Sequence, residues 1–427
     1  MDKFIIEGGH PLSGTILPQG NKNAALPILA ACLLTDEPIV LKNVPQIRDV
    51  CDMRKLLESL GTVVTERSNG VWELNSKEIR PSELDPDLSK RIRASILLAG
   101  PMTTRFGNLE LPPPGGDVIG RRRVDTHILA LQQLGADVSY NRTFTFHAPN
   151  GLKGAEILLD EASVTGTENI LMAAVLARGM TVLRNCASEP HVQDLCHFLN
   201  QMGAKISGIG SNTLTIEGVE KLHGTEFEIS SDYLEVVSFI GAAVMTKGEI
   251  LIKNAGPQHL GMVRLVFNKL GIDWEARGED IFVPQNQELE VKPDLGNAIP
   301  EIKTNIWPAF PTDLMSIAIA VATQVRGNVL FHDWMYPSRM FFVDKLVSMG
   351  AQIVLCDPHR CIVTGPTQLA GEKVESPDIR AGMTLVLAAL AAEGRSTIRN
   401  VGQIDRGYEK LEQKLQMLGA KITRDSE

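Results

Sequence analysis

The chain has 427 residues, 44% hydrophobic and 22% charged, with a formal net charge of −9 at pH 7. That length and apolar content predict a large core spread over two or more domains. The acidic balance, with no interleaving of aromatic and basic residues, disfavours a nucleic-acid partner, and the longest apolar runs are too short to span a bilayer.

The six cysteines (Cys32, Cys51, Cys186, Cys196, Cys356 and Cys361) are scattered, with no CxxC pair and no histidines at metal spacing. They read as buried thiols in a reducing compartment. The N-terminal run Met1 to Glu7 reads as a strand and not as a signal peptide. The expectation is a soluble cytoplasmic protein with no membrane partner.

Beyond that strand, one unit returns six times: an Ala- and Leu-rich helix, an aliphatic strand, a second helix, then Gly and a further strand. The first helices are expected over Ala24 to Leu34 (a run interrupted by Pro27), Ala94 to Ala99, Asn169 to Ala177, Val236 to Met245, Leu314 to Val325 and Met383 to Ala392. The second of these is looser and is expected to end at Gly100-Pro101, ahead of a strand at Leu109 to Leu111. Each second helix ends in Leu or Met and then a glycine, at Gly61, Gly135, Gly203, Gly271, Gly350 and Gly419. These lie about 70 residues apart, one supersecondary module per copy, and each glycine stands where a helix stops in a left-handed cap. Repeated helices and strands predict an α/β architecture; periodicity alone leaves open which layer lies inside.

The residues opening the first helices are Lys22-Asn23, Arg93, Thr167-Glu168, Glu235, Asp313 and Arg380. Asn23, Asp313 and the glutamates suit helix caps. Arg93 and Arg380 do not, because a cation in the first turn is unfavourable by roughly 0.3–1 kcal/mol unless an anion answers it. Helix N-termini with basic side chains make an anion site. In the second copy, Leu111-Pro112-Pro113-Pro114-Gly115-Gly116-Asp117 leads into Arg121-Arg122-Arg123. The Pro and Gly clusters predict a jointed, lid-like loop. Alone, Asp117 would be a turn-former at its tip; the three arginines beside it fit phosphate binding.

Five segments then acquire a collective meaning: Asn21 to Pro27, Gly115-Gly116-Asp117, Phe310-Pro311-Thr312-Asp313, Asp378-Ile379-Arg380-Ala381 and Ile404 to Glu409. In this order, and over nearly the whole chain, they resemble the UDP-N-acetylglucosamine enolpyruvyl transferases. The resemblance implies a two-domain enolpyruvyl transferase fold of six repeated units, with helices inside and sheets outside (an inside-out α/β barrel). It divides the chain into 22–230, carrying the mobile loop near 112–123, and 1–21 plus 231–427. It implies transfer of the enolpyruvyl group of phosphoenolpyruvate to the 3-hydroxyl of UDP-N-acetylglucosamine with release of phosphate. This is the committed step of peptidoglycan synthesis, by addition and elimination, with no cofactor and no metal. Cell-shape and cell-division roles come with it, while the oligomeric state stays open.

Carried over by position, Asp313 is the group near the attacking hydroxyl, as base or orienting partner. Lys22, Arg122 and Arg406 are phosphoenolpyruvate ligands, joined by Arg93 through the loop. Arg339 and Arg380 hold the substrate carboxylate, with Asp378 beside them. Asn23, Ser163 and Val164 are acceptor contacts, with Arg93, Arg122 and Asp313 also on the acceptor side; Asp49, Glu189 and Asp232 support. Asp117 replaces the family's loop cysteine at the position of proton delivery. A carboxyl with a reference pKa of about 3.9 needs an upward shift on closure to serve as an acid near neutrality. With no thiol to alkylate, the protein is expected to resist fosfomycin.

The acceptor side departs further from the family, at Arg121-Arg122-Arg123, Glu161, Thr165-Gly166 and Tyr336-Pro337-Ser338. Two other readings follow: an enolpyruvyl transferase for a different nucleotide or sugar, or a non-catalytic paralogue that binds sugar nucleotide. The shikimate-pathway relative fits the loop and Ile404 to Tyr408 less well.

Overall fold

The computed structural model describes residues 2–80, 84–115, 123–336 and 338–426. Asp117, Arg121 and Arg122 therefore lie outside the described residues. The chain forms two compact units, Gly20–Ser230 and Met1–Gln19 with Ser231–Glu427. Each carries its own apolar core.

All six repeated glycines adopt positive φ, from +74° at Gly271 to +105° at Gly61. A residue with a Cβ is strained there, which is why the sequence marks these points so regularly. A second feature repeats with them. After each hairpin the returning chain donates a backbone N–H to a carbonyl at the end of that helix: Arg80 to Leu60, Lys153 to Leu134, His223 to Met202, Lys292 to Lys269, Ala370 to Met349 and Ser13 to Leu418, all at 2.8–2.9 Å. The six units are thus tied off in one way.

Helices fill the interior and sheets cover it. In Tyr233–Met245 and Met315–Ala322 every residue is buried, and in Ile379–Ala391 all but the last are. These three helices pack on one another, and Gly241 sits where they crowd together. A Cβ there would meet Ile317 and Leu387 at 3.2 Å and Val321 at 3.3 Å. The strands alternate instead: in Thr213–Glu217, Leu214 and Ile216 point inward while Glu217 is exposed. Among the described residues, five sheets have four strands and the second copy's has three.

Two edge strands come from distant sequence. Glu226–Glu228 pairs parallel with Ile39–Lys42 of the first copy, and Ser13–Ile16 pairs parallel with Glu249–Ile252 of the fourth. The N-terminal strand Asp2–Glu7 pairs with both Arg395–Arg399 and Lys421–Ser426 of the sixth copy.

Two local expectations change. Gly100-Pro101 does not end a helix. A 3₁₀ segment, Arg93–Leu98, runs into an α-helix, Ala99–Phe106, that stops at Gly107 with φ +75°. Pro101 stands in the first turn, where a missing N–H costs nothing. The first helix, Lys22–Ala31, likewise continues through Pro27 and tightens to 3₁₀ at Cys32–Leu34.

Candidate active site

In the unit containing residues 231–426, the Pro311–Leu314 stretch presents Asp313 from a 3₁₀ turn, Thr312–Leu314. The Asp313 side chain turns to two arginines. One carboxylate oxygen takes a short charge-assisted bond from Arg339 Nη2, and the other lies 3.5 Å from Arg380 Nε. Both arginines are buried. Burial works against the Arg339 cation, but the carboxylates of Asp313, Asp378 and Asp333 more than offset it, so its pKa rises. At Arg380 burial again opposes the charge, and Tyr408, Asp313 and Asp232 overcome it. The protein's own anions therefore answer the cation at the start of helix Ile379–Ala391.

Asp378 is the N-cap of that helix, its Oδ1 accepting from the N–H groups of Arg380 (2.8 Å) and Ala381 (2.9 Å). Tyr408 lies on the other side of Arg380, with its OH 3.3 Å from Nη1 and 2.9 Å from Ser238 Oγ. Arg406, ending the 3₁₀ turn Val401–Arg406, donates to Gln403 at 3.2 Å. Gln19 fixes the segment that follows, donating to the carbonyl of Gly407 (2.8 Å) and accepting from the N–H of Glu409 (2.6 Å). Asp405 has a structural task, accepting both guanidinium arms of Arg424 at 2.6 and 2.9 Å. Asp232 caps Tyr233–Met245 through Oδ1, while its Oδ2 is buried with no hydrogen-bond partner among the described residues. Burial raises its pKa against the pull of Arg380.

In the Gly20–Ser230 unit, Lys22 opens its helix and pairs with Asp49 at 2.7 Å, both side chains less than a tenth exposed. Asn23, second in that helix, is not the cap: Asn21 is, accepting from the N–H groups of Asn23 (2.8 Å) and Ala24 (3.1 Å). Arg93 donates to the carbonyl of Arg123 at 2.7 Å, and Arg123 reaches Asp125 at 2.7 Å and Asp160 at 3.8 Å. Ser163 caps helix Val164–Ala174, accepting from the Gly166 N–H at 3.2 Å. Val164 is the first residue of that helix. Glu168, one turn in, does not cap. It is wholly buried, and burial, reinforced by Glu189, lifts its pKa well above the usual carboxylate range.

Sequence reasoning missed the network beneath this second cluster. Asn169 Oδ1 accepts from Gly100 N–H (2.7 Å), so its amide nitrogen faces the Ile96 carbonyl (2.7 Å) and His127 Nδ1 (2.8 Å). That nitrogen must donate, so His127 Nδ1 is bare and the ring proton sits on Nε2, directed at Thr165 Oγ1, 3.1 Å away. Burial, aided by the Arg93 charge, lowers the His127 pKa to about 3. Only the placement of His127 two residues after Asp125, at the foot of the arginine loop, hinted at this in the sequence.

Each unit thus places a cation at the opening of an inner helix, Lys22 and Arg93 in one and Arg380 in the other, and in the residue 231–426 unit Arg380 and Arg339 are both held against Asp313. Together with six tied-off repeats, this is the anatomy of an enolpyruvyl transferase. A family model described as EPSP synthase (3-phosphoshikimate 1-carboxyvinyltransferase) matches residues 6–415. Among solved structures, the enolpyruvyl transferase NikO from Streptomyces tendae superposes with a TM-score of 0.89 at 22% identity, covering 100% of this chain and 99% of that one. EPSP synthase from Acinetobacter baumannii superposes at 0.77 with 17% identity over the whole of both chains. At such identities the likeness is one of fold. The sequence is closer to other relatives. It is 54% identical to the UDP-N-acetylglucosamine 1-carboxyvinyltransferase of Treponema denticola over 422 residues, 99% of both chains. It is 53% identical to that of Treponema pallidum over 425 residues, all of each chain. The chain belongs to the UDP-N-acetylglucosamine 1-carboxyvinyltransferase family.

Proposed function

We propose that this protein transfers the enolpyruvyl group of phosphoenolpyruvate to the 3-hydroxyl of UDP-N-acetylglucosamine and releases phosphate, the first step of peptidoglycan synthesis. Full-length identity to relatives bearing that activity in their names supports the reaction. The observation that carries the site is the Asp313–Arg339–Arg380 cluster. Two buried guanidiniums side by side suit a carboxylate, because planar forks bind it through paired N–H groups.

The cluster suggests how binding prepares the chemistry. A substrate carboxylate arriving at Arg339 and Arg380 competes with Asp313 for the same donors. Asp313 gives up charge-assisted bonds and becomes a stronger acceptor for the proton of the sugar hydroxyl. In the addition step the sugar oxygen bonds to C2 of phosphoenolpyruvate and loses its proton to Asp313, while Asp117 protonates C3. Elimination then removes a proton from C3 and expels phosphate, restoring the double bond. Lys22, Arg122 and Arg406 neutralise the phosphate, with Arg93 acting through the loop; Asn23, Ser163 and Val164 contact the acceptor. The units Gly20–Ser230 and 1–19 with 231–427 are the two domains of the enzyme in this reading. No helix among the described residues is long and apolar enough to cross a membrane, and we place the reaction in the cytoplasm, where phosphoenolpyruvate is available.

Phosphate release measured with phosphoenolpyruvate and a panel of nucleotide sugars tests the proposal. UDP-N-acetylglucosamine is expected to give the highest kcat/KM. Release with another acceptor only, or with none, refutes it. Full activity of Asp117→Ala removes Asp117 from the mechanism.

A further inference from the structure

Beneath the Asp313 turn lies a carboxylate to which no role has been given. Asp333 follows strand Gly327–His332 and is completely buried. Its backbone is clamped by one residue of the neighbouring hairpin: the Asp333 N–H donates to the His359 carbonyl at 2.8 Å, and His359 Nδ1 donates to the Asp333 carbonyl at 2.7 Å. Its Oδ1 accepts from Thr304 Oγ1 (3.0 Å) and the Met335 N–H (3.1 Å). Its Oδ2 accepts from Thr312 Oγ1 at 2.6 Å. Thr312 immediately precedes Asp313, and its Oγ1 also lies 3.4 Å from Arg339 Nε.

The direction of these bonds follows from what each group can do. Arg339 Nε can only donate, and an ionised carboxylate can only accept. The Thr312 hydroxyl must therefore give its proton to Asp333 and turn a lone pair toward Arg339. The order Asp333, Thr312, Arg339, Asp313 is a chain of hydrogen bonds, anchored at its inner end by a buried side chain whose backbone is held by His359. It constrains the guanidinium edge that bonds Asp313, and through the peptide it constrains the turn bearing Asp313 itself.

We propose that Asp333 is a positioning residue for the transfer reaction, acting through Thr312 to hold Arg339 and Asp313 in register; this rests on the functional reading above. A buried carboxylate is an expensive way merely to fill space, since it requires three donors arranged around it. Here one of those donors belongs to the turn that carries Asp313.

The test compares Asp333→Asn, Thr312→Val, Thr312→Ser and the Asp333→Asn/Thr312→Val double variant. Asparagine preserves shape but allows an amide donor to face Thr312, which reverses or breaks the chain. Misplacement of a reacting group by about 1 Å costs on the order of 100-fold in rate, so each disruptive single variant should lose at least about tenfold in kcat, with a smaller change in the KM for phosphoenolpyruvate. Thr312→Ser keeps the hydroxyl and should recover most of the rate lost in Thr312→Val. The double variant should be no slower than the worse single variant, because both break the same chain.

An activity-independent measurement accompanies these: the exchange rate of the Arg339 Nε–H in protein labelled with ¹⁵N-arginine. It should rise at least severalfold in Thr312→Val and Asp333→Asn but not in Thr312→Ser. Unchanged exchange with kcat within twofold of the parent overturns the proposal, as do losses that multiply in the double variant. A parent inactive with UDP-N-acetylglucosamine but showing the exchange pattern refutes the functional reading and leaves the positioning chain standing. Should Asp333→Asn fail to fold, the Thr312 pair decides alone.

Discussion

Replacing His127 with glutamine should change how the stability of the Gly20–Ser230 unit responds to acid. The imidazole is 1% exposed and receives a hydrogen bond at Nδ1 from an amide that cannot accept one. Protonation would set two donors against each other inside the core, in agreement with the fall of its pKa from 6.5 to about 3. An unfolded chain protonates this histidine below about pH 6.5 while the folded chain does not. The unfolded state then binds more protons, and stability is lost as the pH falls from 6.5 toward the folded value. At pH 5.0 the gap to the unfolded pKa is about 1.5 units, and at 1.36 kcal/mol per unit the loss relative to pH 7.5 is about 2 kcal/mol.

Glutamine does not titrate. The variant should be weaker at pH 7.5, where Asn169 loses an acceptor and the ring leaves unfilled volume, but its deficit should shrink by about 2 kcal/mol at pH 5.0. Urea titrations at both pH values, read by amide hydrogen exchange in peptides from 164–174, isolate the transition of this unit. Buried carboxyls such as Glu168 and Asp194, whose pKa values are raised by burial, bend the profile the other way. They are common to both proteins and cancel in the difference. A deficit that stays the same at both pH values would refute the neutral, Nε2-protonated imidazole.

Other outcomes follow from the same structure. The parent is expected to resist fosfomycin, and Asp117→Cys should make it sensitive by supplying an alkylatable thiol; a covalent adduct on the parent at Asp117, detected by mass spectrometry, contradicts this. Arg380→Lys should lower kcat/KM for phosphoenolpyruvate by about 10- to 100-fold, since an ammonium lacks the planar fork that spans Asp313 and Tyr408; steady-state kinetics with near-parental values would count against the carboxylate site. Lys414→Met strands Glu235, which is bonded to Lys414 at 2.6 Å and to the Gln19 N–H at 2.6 Å in full burial, and should destabilise its unit by about 3–5 kcal/mol. Burial already raises the Glu235 pKa against the pull of Lys414. Without that cation the folded state holds the proton more tightly, so the deficit in urea titrations should grow as the pH rises from 5 to 7.5. Gly241→Val, whose Cβ would lie 3.2–3.3 Å from side chains of two neighbouring helices, should cost about 1–3 kcal/mol or more by overpacking, visible as a lower unfolding midpoint.

The sequence by itself determined the sixfold repeat, because its signal is local. A helix that ends in the left-handed region needs glycine at that one position, whatever surrounds it, and Gly61 through Gly419 all show it. It also pointed to the basic residues at helix openings, since Lys22, Arg93 and Arg380 stand where the peptide dipoles repel a cation. What it did not contain was the answer to those charges. Asp49 lies far along the chain from Lys22, and Asp313 lies further still from Arg380. Only folding brings each carboxylate to its partner, and Asp313, which reads as a helix cap in isolation, becomes the shared anion of two arginines.

The same holds for strand pairing and for the buried networks. Nothing near Ile39 announces that Glu226–Glu228 will be its parallel neighbour, because a sheet edge is completed by whatever strand the tertiary fold delivers. His127 and Asp333 look like ordinary polar residues beside apolar runs, and their burial and hydrogen-bond partners set their chemistry. Propensity and periodicity act over a few residues; charge pairing, desolvation and register act through space, and those were decided by the tertiary structure.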